Sequence, residues 1–173
     1  MEKQTTTARV ALKWGLITGV ALVLYSTILF ILDEVTNRGL SLVIYVILIA
    51  GIVLAMREYR TANGGYMAYG EGISIGALLS AIAGFISSAF SVFYTQIIDP
   101  GFQERMTEKI RAQLEDQGNL SDEQIDQAIE IGQKFQGPGI AFVVGIAGTV
   151  LIGVIFSLII AAFIRRNKAN PFE

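Results

Sequence analysis

The segment GISIGALLSAIAGFISSAFSVFYTQII, residues 72–98, runs for 27 positions without a charged residue. A helix crosses the hydrocarbon core of a bilayer with about 20 apolar residues, so this segment is long enough to span a membrane. Small residues recur at every fourth position of its first two thirds: Gly72, Gly76, Ser80, Gly84 and Ser88. Residues four apart lie on one face of a helix. The segment therefore predicts a transmembrane helix with a groove of small residues.

Three further segments without charge have the length of a membrane span: residues 14–32, 39–56 and 138–164. The last begins at Pro138, because proline is tolerated in the first turn of a helix. In lipid, only helices and closed barrels satisfy every backbone polar group, and the sequence lacks the alternation of barrel strands. We therefore expect an all-α fold, an integral membrane four-helix bundle. Residues 1–173 are expected to form one transmembrane domain.

The last span carries a second stripe of small residues, which matches the first. It consists of Gly145, Thr149, Gly153 and Ser157. Helices in membranes associate where small residues let their backbones come close, so we expect the third and fourth spans to pack antiparallel through these faces. The alternative is that the glycines line a path for a transported molecule.

Composition argues against catalysis. The chain contains no Cys and no His, so the commonest metal ligand, the commonest general base and all thiol chemistry are missing. The four spans carry no Asp, Glu, Lys or Arg, although ion-coupled transporters commonly use such groups. We expect no enzyme activity, no catalytic or metal-binding residues, no cofactor and no nucleic-acid partner. The expected surroundings are a lipid bilayer.

The basic residues indicate an orientation. Eight lie in the N-terminal tail, the second connection and the C-terminal tail, and five lie in the first and third connections. Because basic residues favour the cytoplasmic side, both termini are expected in the cytoplasm. A bacterial inner-membrane location is expected with this topology.

The third connection, residues 99–137, is expected outside the cytoplasm and folded. It holds nine acidic and four basic residues. An apolar stripe recurs every four residues at Phe102, Met106, Ile110 and Leu114, which is typical of one helix face. Ser121 and Gln124 then occupy the positions of a capping box at the start of a second helix. The pattern predicts an extracytoplasmic helical hairpin that offers a surface to a membrane-protein partner or a second copy of the chain.

The segment that precedes the third span is rich in glycine and tyrosine. Its spacing G-x-G-x-x-x-G matches neither the dinucleotide fingerprint nor a P-loop. Tyr66 and Tyr69 suit the headgroup region of a bilayer. Glu71 lies at the N-terminal end of the predicted helix, where the dipole favours a carboxylate, and is expected to pair with Arg57 or Arg60. An interfacial helix entry accounts for these residues.

Two blocks flank the third span: GYMAYGEG at residues 65–72 and IIDPGF at residues 97–102. Together with the polar insertion, the glycine-rich last span and a C-terminal NPFE, they resemble a bacterial family of envelope proteins. That family is known as domain of unknown function 4199. The resemblance covers essentially the whole chain and implies a small four-span inner-membrane protein, without implying an activity or a substrate. A site shared within such a family is expected among the block residues Tyr66, Tyr69, Gly70, Glu71, Gly72, Asp99 and Pro100.

Together these features predict a structural or accessory subunit of the membrane. The alternative is a small transporter or channel-like protein with a Gly-lined path, whose substrate the sequence leaves open. The role of Glu71 and the oligomeric state also stay open at this stage.

Overall fold

The computed structural model describes residues 6–135 and 137–166, so the basic residues Lys3 and Lys168 and the block NPFE lie outside it. Within the described residues the chain forms six α-helices and no β-strand. They are α1 (Thr7–Ile31), α2 (Arg38–Ala62), α3 (Tyr69–Phe93), α4 (Phe102–Gln117), α5 (Asp122–Lys134) and α6 (Pro138–Ile164). A π-helical turn, Tyr94–Ile98, extends α3 toward α4.

Four of these helices, α1, α2, α3 with its π-helical turn, and α6, are long and apolar enough to cross a membrane. The predicted all-α class with four membrane spans is therefore confirmed. The helices extend beyond the uncharged segments, since α1 already begins at Thr7 and α2 continues to Ala62. Backbone hydrogen bonding does not stop where charged side chains begin, because such side chains reach the headgroup region from a continuing helix.

Side chains and glycines set the ends of the helices. Thr6 Oγ1 accepts a hydrogen bond from Arg9 N at 3.3 Å and thereby caps α1. Asn37 Oδ1 does the same for α2, with Gly39 N at 3.0 Å. Gly64 and Gly65 follow α2 with φ values of +68° and +89°, a backbone region that glycine enters without steric cost. These two glycines turn the chain back toward α3.

Helix α3 is the central element, because it packs against α6 along one side and α1 along another. Its small-residue stripe lies against the stripe of α6, which runs antiparallel to it. Each step of this contact brings a glycine against a larger residue: Gly72 with Ala161, Gly76 with Ser157, Ser80 with Gly153, Gly84 with Thr149, and Ser88 with Gly145. Because each glycine lies opposite a larger residue, the two backbones come close while side chains fill the space between them.

Large apolar side chains cover the outside of the bundle. Leu24 on α1 is 63% exposed, and Leu151 and Phe163 on α6 are 63% and 85% exposed. A continuous apolar surface of this kind marks contact with a membrane or another protein. Together with the length of the helices, it supports a bilayer as the environment of the fold.

The bundle has two differently built ends. The motif end comprises the end of α2, residues 63–72 and the end of α6, and below it lies a cluster that includes Ile52, Met56, Met67 and Ile75. The hairpin end comprises residues 30–37, the π-helical turn, α4 and α5. A second cluster at this end consists of Phe30, Tyr94, Phe102 and Met106. The two conspicuous sequence blocks therefore lie at opposite ends of the bundle.

The close approach of α3 and α6 predicts a sharp contrast between two glycines in the contact, Gly76 of α3 and Gly153 of α6, and a third, Gly148 of α6, outside it. A Cβ atom at Gly76 would lie 2.6 Å from Ser157 Cβ, and one at Gly153 would overlap Ser80, whereas one at Gly148 meets nothing within 4 Å. We expect Gly76→Leu and Gly153→Leu to lower the free energy of unfolding by about 2 kcal/mol or more through overpacking. Thermal unfolding in detergent measures this effect.

Gly148→Leu is the matched control on the same helix, and its unfolding temperature should equal that of the wild type. Equal unfolding temperatures for all three variants would contradict the contact between α3 and α6.

Candidate functional site

Glu71, in the first turn of α3, connects α2 and α3 at the motif end. Its Oε2 accepts a hydrogen bond from Ala68 N at 2.7 Å, and its Oε1 accepts one from the Tyr59 hydroxyl at 2.7 Å. The carboxylate therefore caps the N-terminus of α3 and binds α2 at the same time. The expected ion pair with Arg57 or Arg60 is wrong, because Arg60 is directed to α6, where its Nη1 donates to Ile164 O at 3.1 Å.

The glycine- and tyrosine-rich block also holds the end of α6. Met67 and Arg166 exchange two backbone hydrogen bonds, of 3.0 and 2.9 Å. The Tyr69 hydroxyl donates to Leu158 O at 3.2 Å, and the Arg165 guanidinium lies 5.8 Å from the centre of the Tyr69 ring. Residues 67–71 thus link the ends of α2, α3 and α6.

Glu58 is a further acidic residue at the motif end that sequence reasoning missed. Its Oε2 accepts from Lys13 Nζ at 2.7 Å and from Trp14 Nε1 at 2.8 Å. This pair of contacts connects α1 to α2. The signal in the sequence was a single glutamate among arginines at the end of a span, which does not identify a partner on another helix.

At the hairpin end, Arg105 of α4 lies between two carboxylates. Its Nη2 lies 2.5 Å from Asp99 Oδ2, and its Nε lies 3.2 Å from Asp33 Oδ2. Asp33 belongs to the connection between α1 and α2, where its φ is +54°. Lys109 Nζ donates to the Asp33 carbonyl at 2.6 Å. Two successive turns of α4 are thereby fixed to this connection.

Electrostatics at this site favour the charged forms. The Arg105 guanidinium, which donates to Asp99, holds the pKa of Asp99 below its ordinary value of 3.8. Hydrogen bonds to Asp99 and then Asp33 raise the pKa of Arg105 in return. The two shifts favour the charged pair that Asp99 forms with Arg105.

Aromatic side chains pack beneath the ion pairs. The Phe30 ring lies 4.7 Å from the Tyr94 ring and 5.0 Å from the Phe102 ring, measured between centroids. The π-helical turn and Pro100 position these residues, because the helix ends before the proline and Asp99 N donates back to Tyr94 O at 2.8 Å. Apolar and ionic contacts together hold the start of α4 on the bundle.

The connection after α3 folds as a pair of helices. Gly118, with φ of +63°, ends α4, and Ser121 caps α5 by accepting from Gln124 N at 3.4 Å. Ile125 is 1% exposed, and Arg111 of α4 pairs with Asp126 of α5. The short helical hairpin that the capping and periodicity signals predicted is present.

The remaining residues of the two sequence blocks lie in different surroundings. Tyr66 accepts at its carbonyl from Asn63 Nδ2 at 3.1 Å. Gly70 is exposed beside Glu71, in an open depression that Ser74 also lines. Asp99 and Pro100 lie at the hairpin end, so the structure brings Tyr69, Gly70 and Glu71 together and leaves Asp99 and Pro100 apart from them.

Acidic side chains do not gather into a candidate metal site anywhere in residues 6–135 and 137–166. The side chains at both ends instead hold helices together through caps, ion pairs and aromatic contacts. This arrangement positions one element against another and presents the surface of the hairpin.

A model of one protein family matches residues 13–166, and its description reads "Protein of unknown function (DUF4199)". The matched range contains both sequence blocks, 65–72 and 97–102, that carried the resemblance. No curated protein and no solved structure matches the chain.

The two bonds of Glu71 predict a stabilising role that depends on Tyr59. We expect Glu71→Ala to lower the free energy of unfolding by about 1–2 kcal/mol, since it removes the cap of α3. Glu71→Gln, which keeps one acceptor oxygen, should lie between Glu71→Ala and the wild type. In a double-mutant cycle, Tyr59→Phe should add little to Glu71→Ala. Full additivity would show that the two side chains do not act together.

The ion pair at Asp99 predicts an acid-sensitive attachment of α4. Because the pKa of Asp99 is lowered in the folded protein, its contribution to stability is complete above the ordinary value of 3.8 and is lost as the pH falls through the lowered value. We expect Asp99→Asn to unfold at a lower temperature than the wild type at pH 7. This difference should shrink when the pH falls below 3.8.

Asp116→Asn provides the same chemical change at an exposed position of α4. Its unfolding temperature should follow the wild type at every pH. A difference between wild type and Asp99→Asn that is independent of pH would contradict the ion pair.

Proposed function

The chain belongs to the DUF4199 family, and we propose that it is a non-enzymatic accessory subunit of the bacterial inner membrane. In this proposal both termini lie in the cytoplasm, and the hairpin of α4 and α5 lies outside it. The hairpin is the part that meets a partner protein, and the four spans anchor it.

The distribution of basic residues supports this orientation. Within the described residues the motif end carries Arg57, Arg60, Arg165 and Arg166, whereas the hairpin has an excess of acids. Basic residues near the ends of spans are retained on the cytoplasmic side. The motif end is therefore the cytoplasmic end in this proposal.

The single observation that carries the accessory role is how the hairpin uses its charges. All four of its basic residues make contacts within the chain: Arg105 with Asp99 and Asp33, Lys109 with the Asp33 carbonyl, Arg111 with Asp126 and Glu115, and Lys134 with Glu130. Five acids of α4 and α5 form no ion pair within the described part of the chain: Glu104, Glu108, Asp116, Asp122 and Glu123. A firmly attached element with unpaired acids fits a partner with a basic surface, which such charges steer and orient.

The contact between α3 and α6 favours this role over transport through a Gly-lined path. Gly72, Gly76 and Gly84 each face a side chain of α6 at the distance of close packing. These glycines are used in holding the bundle together, and a path along them would require the two helices to separate.

Photo-crosslinking in cells tests the proposal. A photoreactive amino acid at Asp116, on the exposed surface of α4, should crosslink one distinct protein. The same residue at Leu151, on the apolar outer surface of α6, should not. A cysteine at Asp116 reports the side of the membrane, since the wild type contains no Cys, and it should react with an impermeant thiol reagent in intact cells made permeable only at the outer membrane.

Charge reversal at Glu104 and Glu108 is the specific control. Glu104→Lys and Glu108→Lys together should abolish the crosslink from position 116. Neither acid has an ion pair to lose within the described residues, and the loss of Glu104 from the first turn of α4 should lower the free energy of unfolding by only about 0.3–1 kcal/mol. A cysteine at 116 that is protected from the reagent would refute the orientation. A crosslink that appears only from position 151 would refute the hairpin as the partner surface.

A further inference from the structure

A cavity of about 370 Å³ lies between the four spans, in the half of the bundle near the hairpin end. All four spans contribute to its wall, which includes Leu22, Phe30, Tyr45, Leu48 and Ile152. No charged side chain lines it. Its volume is in the range of about 300–1,000 Å³ that is typical of small-molecule sites, and a mostly apolar wall with a few polar groups is typical of them too.

The polar groups of this cavity are hydroxyls of serine, threonine and tyrosine, and three of the serine hydroxyls have no partner among the described residues. Ser26, Ser88 and Ser91 line the cavity, and none of their hydroxyls hydrogen-bonds to any part of the chain that the structure describes. Ser88 is 7% exposed as a whole residue, and its hydroxyl lies beside Gly145 of α6. An unpaired polar group in such surroundings costs free energy, which an occupant with a hydrogen-bonding group would recover.

Hydroxyls elsewhere in these helices differ in their bonding: Ser80 Oγ, which faces Gly153 outside the cavity, also lacks a partner within the described residues, whereas three others have one. Thr27, Ser87 and Thr149 each donate to a carbonyl of their own helix four residues earlier, at 2.7–2.9 Å. Such bonding is the usual way in which serine and threonine are satisfied within a membrane helix. Ser26, Ser88 and Ser91 instead converge from α1 and α3 on one cavity.

The depth of the hydroxyls in the bilayer matches the depth of the lipid ester groups. The span Tyr69–Ile98 has 30 residues, or about 45 Å of helix, so it extends roughly 7 Å beyond each side of a hydrocarbon core about 30 Å thick. Ser91 and Ser88 lie seven and ten residues before Ile98, which is about 10 and 15 Å from the helix end. With the span centred on the bilayer, Ser91 and Ser88 lie about 3–8 Å inside the hydrocarbon boundary, below the ester groups of lipids.

We propose that this cavity binds one acyl chain of a membrane lipid, with its ester carbonyl accepting a hydrogen bond from one of the hydroxyls of Ser26, Ser88 and Ser91. The chain then extends along the apolar wall toward Leu48 and Ile152. An uncharged wall does not select a charged solute, and a position within the spans places the opening at the lipid. This binding is independent of the partner proposed for the hairpin.

Native mass spectrometry of the purified full chain tests the proposal with two synthetic phosphatidylglycerols. One has ester-linked chains and the other has ether-linked chains of equal length, which lack the carbonyl. The wild type should bind one diester lipid about fivefold more tightly than the diether lipid, the factor expected for one hydrogen bond. The triple variant Ser26→Ala, Ser88→Ala, Ser91→Ala should bind both lipids equally.

A steric variant tests the location. Gly148 lines the cavity, and a Cβ atom added there meets nothing within 4 Å. Gly148→Leu should therefore fill the cavity without loss of folding and weaken binding of both lipids about tenfold. Ala147→Leu is the matched control, because Ala147 is exposed on the same helix outside the cavity, and it should bind as the wild type does.

Thermal unfolding of each variant separates loss of binding from loss of folding. Equal affinity of the wild type for the diester and diether lipids would overturn the role of the serines. Unchanged binding by a folded Gly148→Leu would overturn the site. If the purified chain retains no lipid, or retains a compound without an acyl chain, the proposal as a whole is overturned.

Discussion

The close approach of α3 and α6 is the constraint on which the rest of the fold depends. Within a bilayer, burying apolar side chains between helices gains little, because lipid is as apolar as they are. Association therefore relies on van der Waals fit, and that fit comes from the pairing of glycines with larger residues along the contact. Ser157 lies against Gly76, and Ser80 lies against Gly153, so each helix has a glycine where the other has a side chain.

The ends of the bundle need other interactions, because groove packing does not determine where connections lie. At the motif end, Glu71 and Tyr69 bind α3 to α2 and α6 through hydrogen bonds. At the hairpin end, Arg105 and the Phe30 cluster fix α4 to the connection between α1 and α2. The two sequence blocks, 65–72 and 97–102, are thus the places where neighbouring helices are joined.

Much of this architecture could be predicted from the sequence because it depends on periodicity. The spans follow from uncharged length, the stripes of α3 and α6 from four-residue spacing, and the start of α5 from the capping residues Ser121 and Gln124. The pairing of side chains across helices could not be predicted in the same way. Arg57, Tyr59 and Arg60 all lie near Glu71 along the chain, and only the rotation of α2 selects Tyr59. Likewise, Asp33 and Arg105 are 72 residues apart, and no local pattern connects them.

The spacing of the glycines along α3 and α6 also explains where a cleft lies beside these two helices. The last glycine-containing step toward the hairpin end is Ser88 with Gly145. One step further, Val92 on α3 and Ala141 on α6 both carry a side chain, and both line a cleft of about 220 Å³. Phe102 and Met106 of α4 line this cleft as well. The glycine contact therefore accounts for the packing of α3 on α6 as far as Ser88 and Gly145. Beyond that step, α4 contributes side chains to the space beside the two helices.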